Sequence, residues 1–196
     1  NKIINDIRLF KPDLILAIGG GSVIDYSKIS NVIDQNEKLK YMIQNYSYPY
    51  KKKFTKLAVI PTTAGSGAEV TSNAVIYVDG VKYSFESELL VPDNFFLIPE
   101  FVINASNKLK ASSGFDAIAQ AVESLLSKKS NRRSVSYAKK SLNISIKSFI
   151  PYLEKPDDRN SAEMLIASNL AGKAISISKT VAPHAISYPF TSIFNL

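Results

Sequence analysis

Chemistry in this chain concentrates in four short stretches. Two loops carry five of the eight glycines, and each follows an apolar run that reads as a buried strand. Leu14-Ile15-Leu16-Ala17-Ile18 leads into Gly19-Gly20-Gly21-Ser22, with Asp25 and Lys28 on the segment after it. Leu57-Ala58-Val59-Ile60 leads into Pro61-Thr62-Thr63-Ala64-Gly65-Ser66-Gly67-Ala68-Glu69. A strand, a bare backbone turn and a helix N-terminus hold phosphate in α/β proteins, because unpaired amide N–H groups converge there and the helix dipole favours an anion. Two such loops predict a dinucleotide.

The third stretch is Gly114-Phe115-Asp116-Ala117-Ile118-Ala119-Gln120-Ala121-Val122-Glu123, whose Asp116, Gln120 and Glu123 fall at i, i+4 and i+7. That spacing puts them on one helix face in an apolar setting. The face is either a site or merely solvated, and the residues alone leave both open. The fourth holds His184, the only histidine, in Lys179-Thr180-Val181-Ala182-Pro183-His184-Ala185. A lone histidine is either structural or a ligand. The first loop is not the usual dinucleotide fingerprint, because its glycines run consecutively and no acidic residue ends a following strand at the expected distance. It also lacks the Gly-Lys-Ser/Thr ending of a nucleoside-triphosphate loop.

The elements that must position these residues follow from periodicity and punctuation. Ile3, Ile4, Ile7 and Phe10 predict a helix over Lys2 to Phe10, ended by Lys11-Pro12-Asp13. A second helix is expected from Ser22 to Ile33, with Val23, Ile24, Ser27 and Ile29 facing inward. The tyrosine- and lysine-bearing stretch from Asp34 to Lys56 reads as an irregular connection, since no nucleic-acid motif accompanies its aromatics. Asp79-Gly80 between Ala74-Val75-Ile76-Tyr77-Val78 and Lys82-Tyr83-Ser84-Phe85 predicts a β-hairpin, and Phe95-Phe96-Leu97-Ile98 another buried strand. From Ser106 the pattern turns helical, with helices expected near Gly114 to Ser127, Ser134 to Leu153 and Ser161 to Ser178. Ser134 and the run from Asn160 are the candidate caps. The fold class is therefore an α/β nucleotide-binding domain with a parallel sheet over residues 1–105, then an all-α domain over 106–196.

Composition excludes several classes. There is no cysteine, hence no disulfide framework and no thiolate nucleophile, and a cytoplasmic protein is expected. No apolar run reaches membrane-spanning length. The net charge of +7, from 24 Lys+Arg against 17 Asp+Glu, reads as solvated faces and loop tips such as Lys51-Lys52-Lys53, not as a nucleic-acid surface. The first residues, Asn1-Lys2-Ile3-Ile4-Asn5, lack a Met and a signal-peptide pattern, which reads as an internal cut.

Together and in this order, the four segments resemble the iron-containing, group III alcohol dehydrogenase family, related in fold to dehydroquinate synthase. Gly19 to Lys28 meets the family pattern Gly-Gly-Gly-Ser-x-x-Asp-x-x-Lys, and Pro61 to Glu69 nearly meets Pro-Thr-Thr-x-Gly-Thr-Gly-Ser-Glu. Gly114 to Glu123 matches Gly-x-Asp-Ala-x-x-His-Ala-x-Glu with Gln120 standing where the family has histidine, and His184-Ala185 matches its later His-Ala. Family chains are about twice this length, so both domains are expected to be incomplete here.

The resemblance implies that the diphosphate of NAD or NADP rests on Gly20, Gly21 and Ser22 with Asp25 near the nicotinamide, and that Thr62, Thr63, Thr71 and Lys82 also contact the cofactor. It implies Fe2+ or Zn2+ at Asp116 and His184, with Gln120 as a weaker amide donor. His184 and Tyr188 become the catalytic candidates, Tyr188 standing where a second histidine near the nicotinamide is often found. The implied reaction is hydride transfer between a primary alcohol and an aldehyde, in a homodimer without nucleic-acid or membrane partners. Lys179 to Pro189 looks like the phosphonoacetaldehyde reductase branch, where Arg132, Arg133 or Lys179 would bind the phosphonate. A dehydroquinate synthase-like lyase or cyclase and a non-catalytic nucleotide-binding remnant are the alternatives.

Overall fold

The computed structural model describes residues 2–187, which form an α/β part followed by a helical part. Helix α1 (Lys2–Phe10) ends at Lys11, whose φ of 50° turns the chain toward β1 (Leu14–Gly19). Strand β1 pairs in parallel with β2 (Lys56–Pro61), and β2 with the two-residue β5 (Asn94–Phe95). This β1-β2-β5 order leaves β2 central, and all but its first residue is buried. Helix α2 (Gly21–Ser30) packs Ile24 on Ala17, Leu57 and Val59 of the sheet.

Two runs expected to be buried strands are not. Leu14, Leu16 and Ile18 point to one face of β1 and are 51%, 52% and 46% exposed, because nothing among the described residues covers that face. Phe95-Phe96-Leu97-Ile98 supplies only the short edge strand β5, and Phe96 is 53% exposed. Pro99 then opens the short helix α4 (Glu100–Ile103). Helix α2 also corrects one inward candidate, since Val23 is 45% exposed while Lys28 is wholly buried.

The connection after α2 is more ordered than its sequence suggests. It contains α3 (Leu39–Gln44), which packs Leu39 and Ile43 with Ile29, Val32 and the hairpin residues Ile76, Tyr83 and Phe85. Tyr48 and Tyr50 pack against the core, while Tyr41 and Tyr46 stay exposed at 66% and 70%. Tyr48 stacks on Phe85 at 4.1 Å between centroids, and the Tyr50 hydroxyl accepts the Glu86 N–H. The hairpin pairs β3 (Asn73–Val78) with β4 (Val81–Glu86) through Asp79 and Gly80 at φ 52° and 77°, the mirror-image turn whose twist matches the strands.

Three long helices build the rest: α5 (Asn107–Leu126), α6 (Arg132–Glu154) and α7 (Asp158–Ser178). They close on Ala117, Ala121, Ala138, Ala171 and Ala174, small side chains that let helix axes approach. Helix α5 starts at Asn107, earlier than expected, because Ser106 caps it by accepting the Leu109 N–H at 3.3 Å. The other caps also shift outward. Asn131 and Asp157 are the N-caps, and Ser134 and Asn160 are their third-position partners in reciprocal capping boxes.

The α/β and helical parts meet through the second glycine loop. A Cβ on Gly67, which has φ 61°, would lie 2.6 Å from the Cα of Gly172 on α7, so bare backbone meets bare backbone there. A Cβ on Gly65 would lie 2.8 Å from the carbonyl of Ser113 on α5. Asn169 of α7 donates to the buried Glu69 carboxylate at 2.9 Å. Gly65 and Gly67 are thus spent on close helix approach, while Ser66 between them faces Gly21 of the first loop. No helix among the described residues is long and apolar enough to cross a membrane.

Candidate active site

Parallel strands β1 and β2 deliver their following loops to the same sheet end, where α2 begins. Its N-cap, Gly20, is extended, and no side chain caps it. The first hydrogen bond into the helix runs from the Ile24 N–H to the Gly20 carbonyl at 3.2 Å, so the amides of Gly21, Ser22 and Val23 precede it and face out of the helix end. Gly21 and Ser22 line a cavity of about 360 Å³ whose far wall is α5 and the segment after α7. A helix end with bare amides and a partial positive charge fits a diphosphate.

Buried charge organises the near wall. Asp25 accepts the Val75 N–H at 2.9 Å through one oxygen, while the other has no hydrogen-bond partner and lies 3.6 Å from Lys28 Nζ. Lys28 donates to Thr71 Oγ1 at 3.0 Å and to the Asn73 carbonyl at 2.9 Å. Burial pushes its ammonium down to about 8, against the opposing pull of Asp25 and Glu69. Burial likewise raises Asp25, with Lys28 opposing, and raises Glu69. Lys82 on β4 lines the cavity and is lowered by burial, with Asp116 and Asp25 opposing.

On the far wall, helix spacing brings Asp116 and Gln120 to the cavity, and the chain returning from α7 adds His184. Gln120 Nε2 donates to Asp116 Oδ2 at 2.9 Å, and Asp116 Oδ1 lies 3.2 Å from His184 Nε2. His184 Nδ1 lies 2.5 Å from Glu123 Oε1. The hydrogen bond to Asp116, and then that to Glu123, raise the His184 pKa against burial. Gln120 Oε1 is buried without a partner. Among the described residues no three His, Cys, Asp or Glu side chains are arranged to hold a metal ion. One carboxylate, one imidazole and an orphaned amide oxygen on one cavity nonetheless fit a divalent cation as a partial donor set.

Gly21, Ser22, Asp25, Thr71, Lys82, Asp116, Gln120 and His184 thus share one cavity. Gly20, Thr62 and Thr63 are not among its lining residues; the Thr63 side chain sits 3.4 Å from where a Gly20 Cβ would be. Arg132, Arg133 and Lys179 do not line it either; Lys179 pairs with Glu86 at 2.6 Å. Tyr188 lies outside the described residues. Sequence reasoning passed over Tyr26, Asn73 and Tyr77 as lining residues. Only the parity of β3, which puts Asn73, Val75 and Tyr77 on one face, signalled any of them.

Comparisons with known proteins follow the same two parts. Residues 1–99 match the model of the iron-containing alcohol dehydrogenases, and residues 110–196 match the C-terminal model of the Fe-containing alcohol dehydrogenase family. The chain is 30% identical to 4-hydroxybutyrate dehydrogenase of Clostridium kluyveri, over 96% of this chain and 52% of that protein. It is 29% identical to 1-propanol dehydrogenase of Citrobacter freundii, over 98% of this chain and 50% of that protein. The crystal structure of sulfoacetaldehyde reductase from Bifidobacterium kashiwanohense in complex with NAD+ superposes with a TM-score of 0.92 at 28% identity, covering 100% of this chain and 53% of that one. The chain therefore spans about half the length of the curated relatives it matches. With family models matching on either side of the Gly67–Gly172 junction, the chain belongs to the iron-containing alcohol dehydrogenase family.

Proposed function

We propose that the protein is an NAD(P)-dependent, metal-assisted oxidoreductase that interconverts a primary alcohol and an aldehyde. The observation that carries this reading is the shared cavity, with an uncapped helix N-terminus on one wall and the Asp116, Gln120 and His184 donors on the other. The amides of Gly21 and Ser22 bind the diphosphate, Thr62 and Thr63 flank the loop, and Asp25, Thr71 and Lys82 form the wall against the nicotinamide half. Asp116, Gln120 and His184 hold the ion and orient the substrate oxygen. An iron or zinc ion, when bound, supplies Lewis-acid polarisation that makes the carbonyl carbon a better hydride acceptor. Juxtaposing two bound partners in one cavity removes the entropy of their encounter.

The substrate proposed is a short aldehyde with a small acidic tail, phosphonoacetaldehyde among the candidates. Two relatives support this, since the names 4-hydroxybutyrate dehydrogenase and sulfoacetaldehyde reductase both carry such tails. Lys82 is the one Lys or Arg among the described lining residues, so it is the cation proposed to meet the tail. The test follows NADH and NADPH absorbance with phosphonoacetaldehyde, sulfoacetaldehyde, 4-hydroxybutyrate and 1-propanol. Turnover of an acidic substrate above that of 1-propanol is expected. No absorbance change with any of them overturns the reading.

A further inference from the structure

We propose that Glu123 is a positioning residue, which holds the His184 imidazole with Nδ1–H donated to its carboxylate and so turns Nε2 toward Asp116 and the cavity. The inference rests on the function proposed above and extends it to a side chain that does not line the cavity.

Glu123 is 3% exposed on α5, one turn beyond Gln120. A carboxylate in that setting costs stability unless donors meet it. Both of its donors come from the segment that follows α7. Glu123 Oε1 lies 2.5 Å from His184 Nδ1, and Oε2 accepts the Val181 N–H at 2.6 Å. Two oxygens thus grip one short segment at its start and at its functional side chain. The grip on Val181 fixes where the carboxylate sits, and the carboxylate then fixes which ring nitrogen faces it. A ring flip about Cβ–Cγ would put Cδ2–H against Glu123 and Cε1–H where Nε2 now lies 3.2 Å from Asp116 Oδ1, so both contacts would be lost.

This is the arrangement a ligating histidine needs. A metal-bound imidazole coordinates through one nitrogen and donates the other N–H to an acceptor that sets tautomer and ring orientation. Asp116 and Gln120 share the helix with Glu123, so one rigid element supplies the oxygen donors and also aims the nitrogen donor that arrives from elsewhere. Without Glu123 the histidine would keep only its contact with Asp116, and the start of its segment would lose its anchor.

Glu123→Gln keeps the size of the side chain but turns one of its two accepting oxygens into an NH2 donor, so either the His184 Nδ1–H or the Val181 N–H meets a donor. Zinc binding is measured with the metal alone, by titration and by elemental analysis after dialysis. Proton NMR follows the Nδ1–H of His184, assigned by its loss in His184→Gln. The expected result is a zinc dissociation constant raised about 10- to 100-fold, and a hydrogen-bonded, slowly exchanging Nδ1–H in the wild type that exchanges faster with water in the variant. NAD(P)H affinity and the far-ultraviolet circular dichroism should stay near wild type, which a merely structural role would not predict. Unchanged zinc affinity together with an unchanged Nδ1–H overturns the proposal. If the wild type takes up no zinc, it is the metal part of the proposed function that fails, and the Nδ1–H decides on Glu123 alone: faster exchange in Glu123→Gln supports it, no change overturns it.

Discussion

Lys28 carries an ammonium group with no exposed surface, held by Thr71, the Asn73 carbonyl and Asp25. Its pKa falls from 10.5 to about 8 on folding, so between those values the unfolded chain binds more protons than the native one. Stability must then rise with pH across that window, by roughly 3 kcal/mol from this group. Tyr152 works in the opposite direction at higher pH. Burial raises it from 10.0 to about 12, so the unfolded chain loses its proton first and stability falls as pH passes 10.0. Urea unfolding at stepped pH should show a maximum near pH 10, and a monotonic fall from pH 8 would contradict the burial of Lys28. The residue types of this site were legible in sequence, down to Asp25, Lys28, Asp116, Gln120 and His184. The burial of Lys28 was not, because its partners Thr71 and Asn73 lie 43 and 45 residues away on an element whose docking no local pattern encodes.

At the scale of elements, the second glycine loop serves the junction more than the ligand. Gly172 sits inside α7, where glycine is a poor helix former, and a Cβ there would lie 2.7 Å from the Gly67 carbonyl oxygen. Gly172→Ala should therefore destabilise the protein by about 1–3 kcal/mol through overpacking, despite the better helix propensity of alanine. Equilibrium denaturation measures it, and a stabilised variant would mean that the loop and α7 do not touch. Strands and helices with strong local signals, β2, the hairpin and the three long helices, were readable. What failed was the reading of solvent contact. Leu14, Leu16 and Ile18 have the composition of a buried strand, yet exposure depends on what lies across that face. The helix caps slipped for a different reason: in a capping box both partners are polar, so Ser134 and Asn160 look like caps while Asn131 and Asp157 perform the task.

Across the whole molecule, one cavity borrows walls from both parts, so a ligand that fills it binds neither part alone. Saturating NAD(P)H at about 100 times its dissociation constant should raise the unfolding free energy by about 2.7 kcal/mol and move a single transition as a unit. Calorimetry that resolves two transitions, with only the α/β one responding, would contradict a shared site. The hydrogen bonds that close this cavity also carry a consequence in time. Asp25 to Val75 spans 50 residues, His184 to Asp116 spans 68 and Asn169 to Glu69 spans 100. Loop closure of that length is entropically unfavourable until both ends are already shaped, so α5, α6 and α7 can collapse on their alanines before any of these bonds exists. Binding competence is then the last property the refolding chain acquires, arriving in its slowest phase after most of the helical signal has returned.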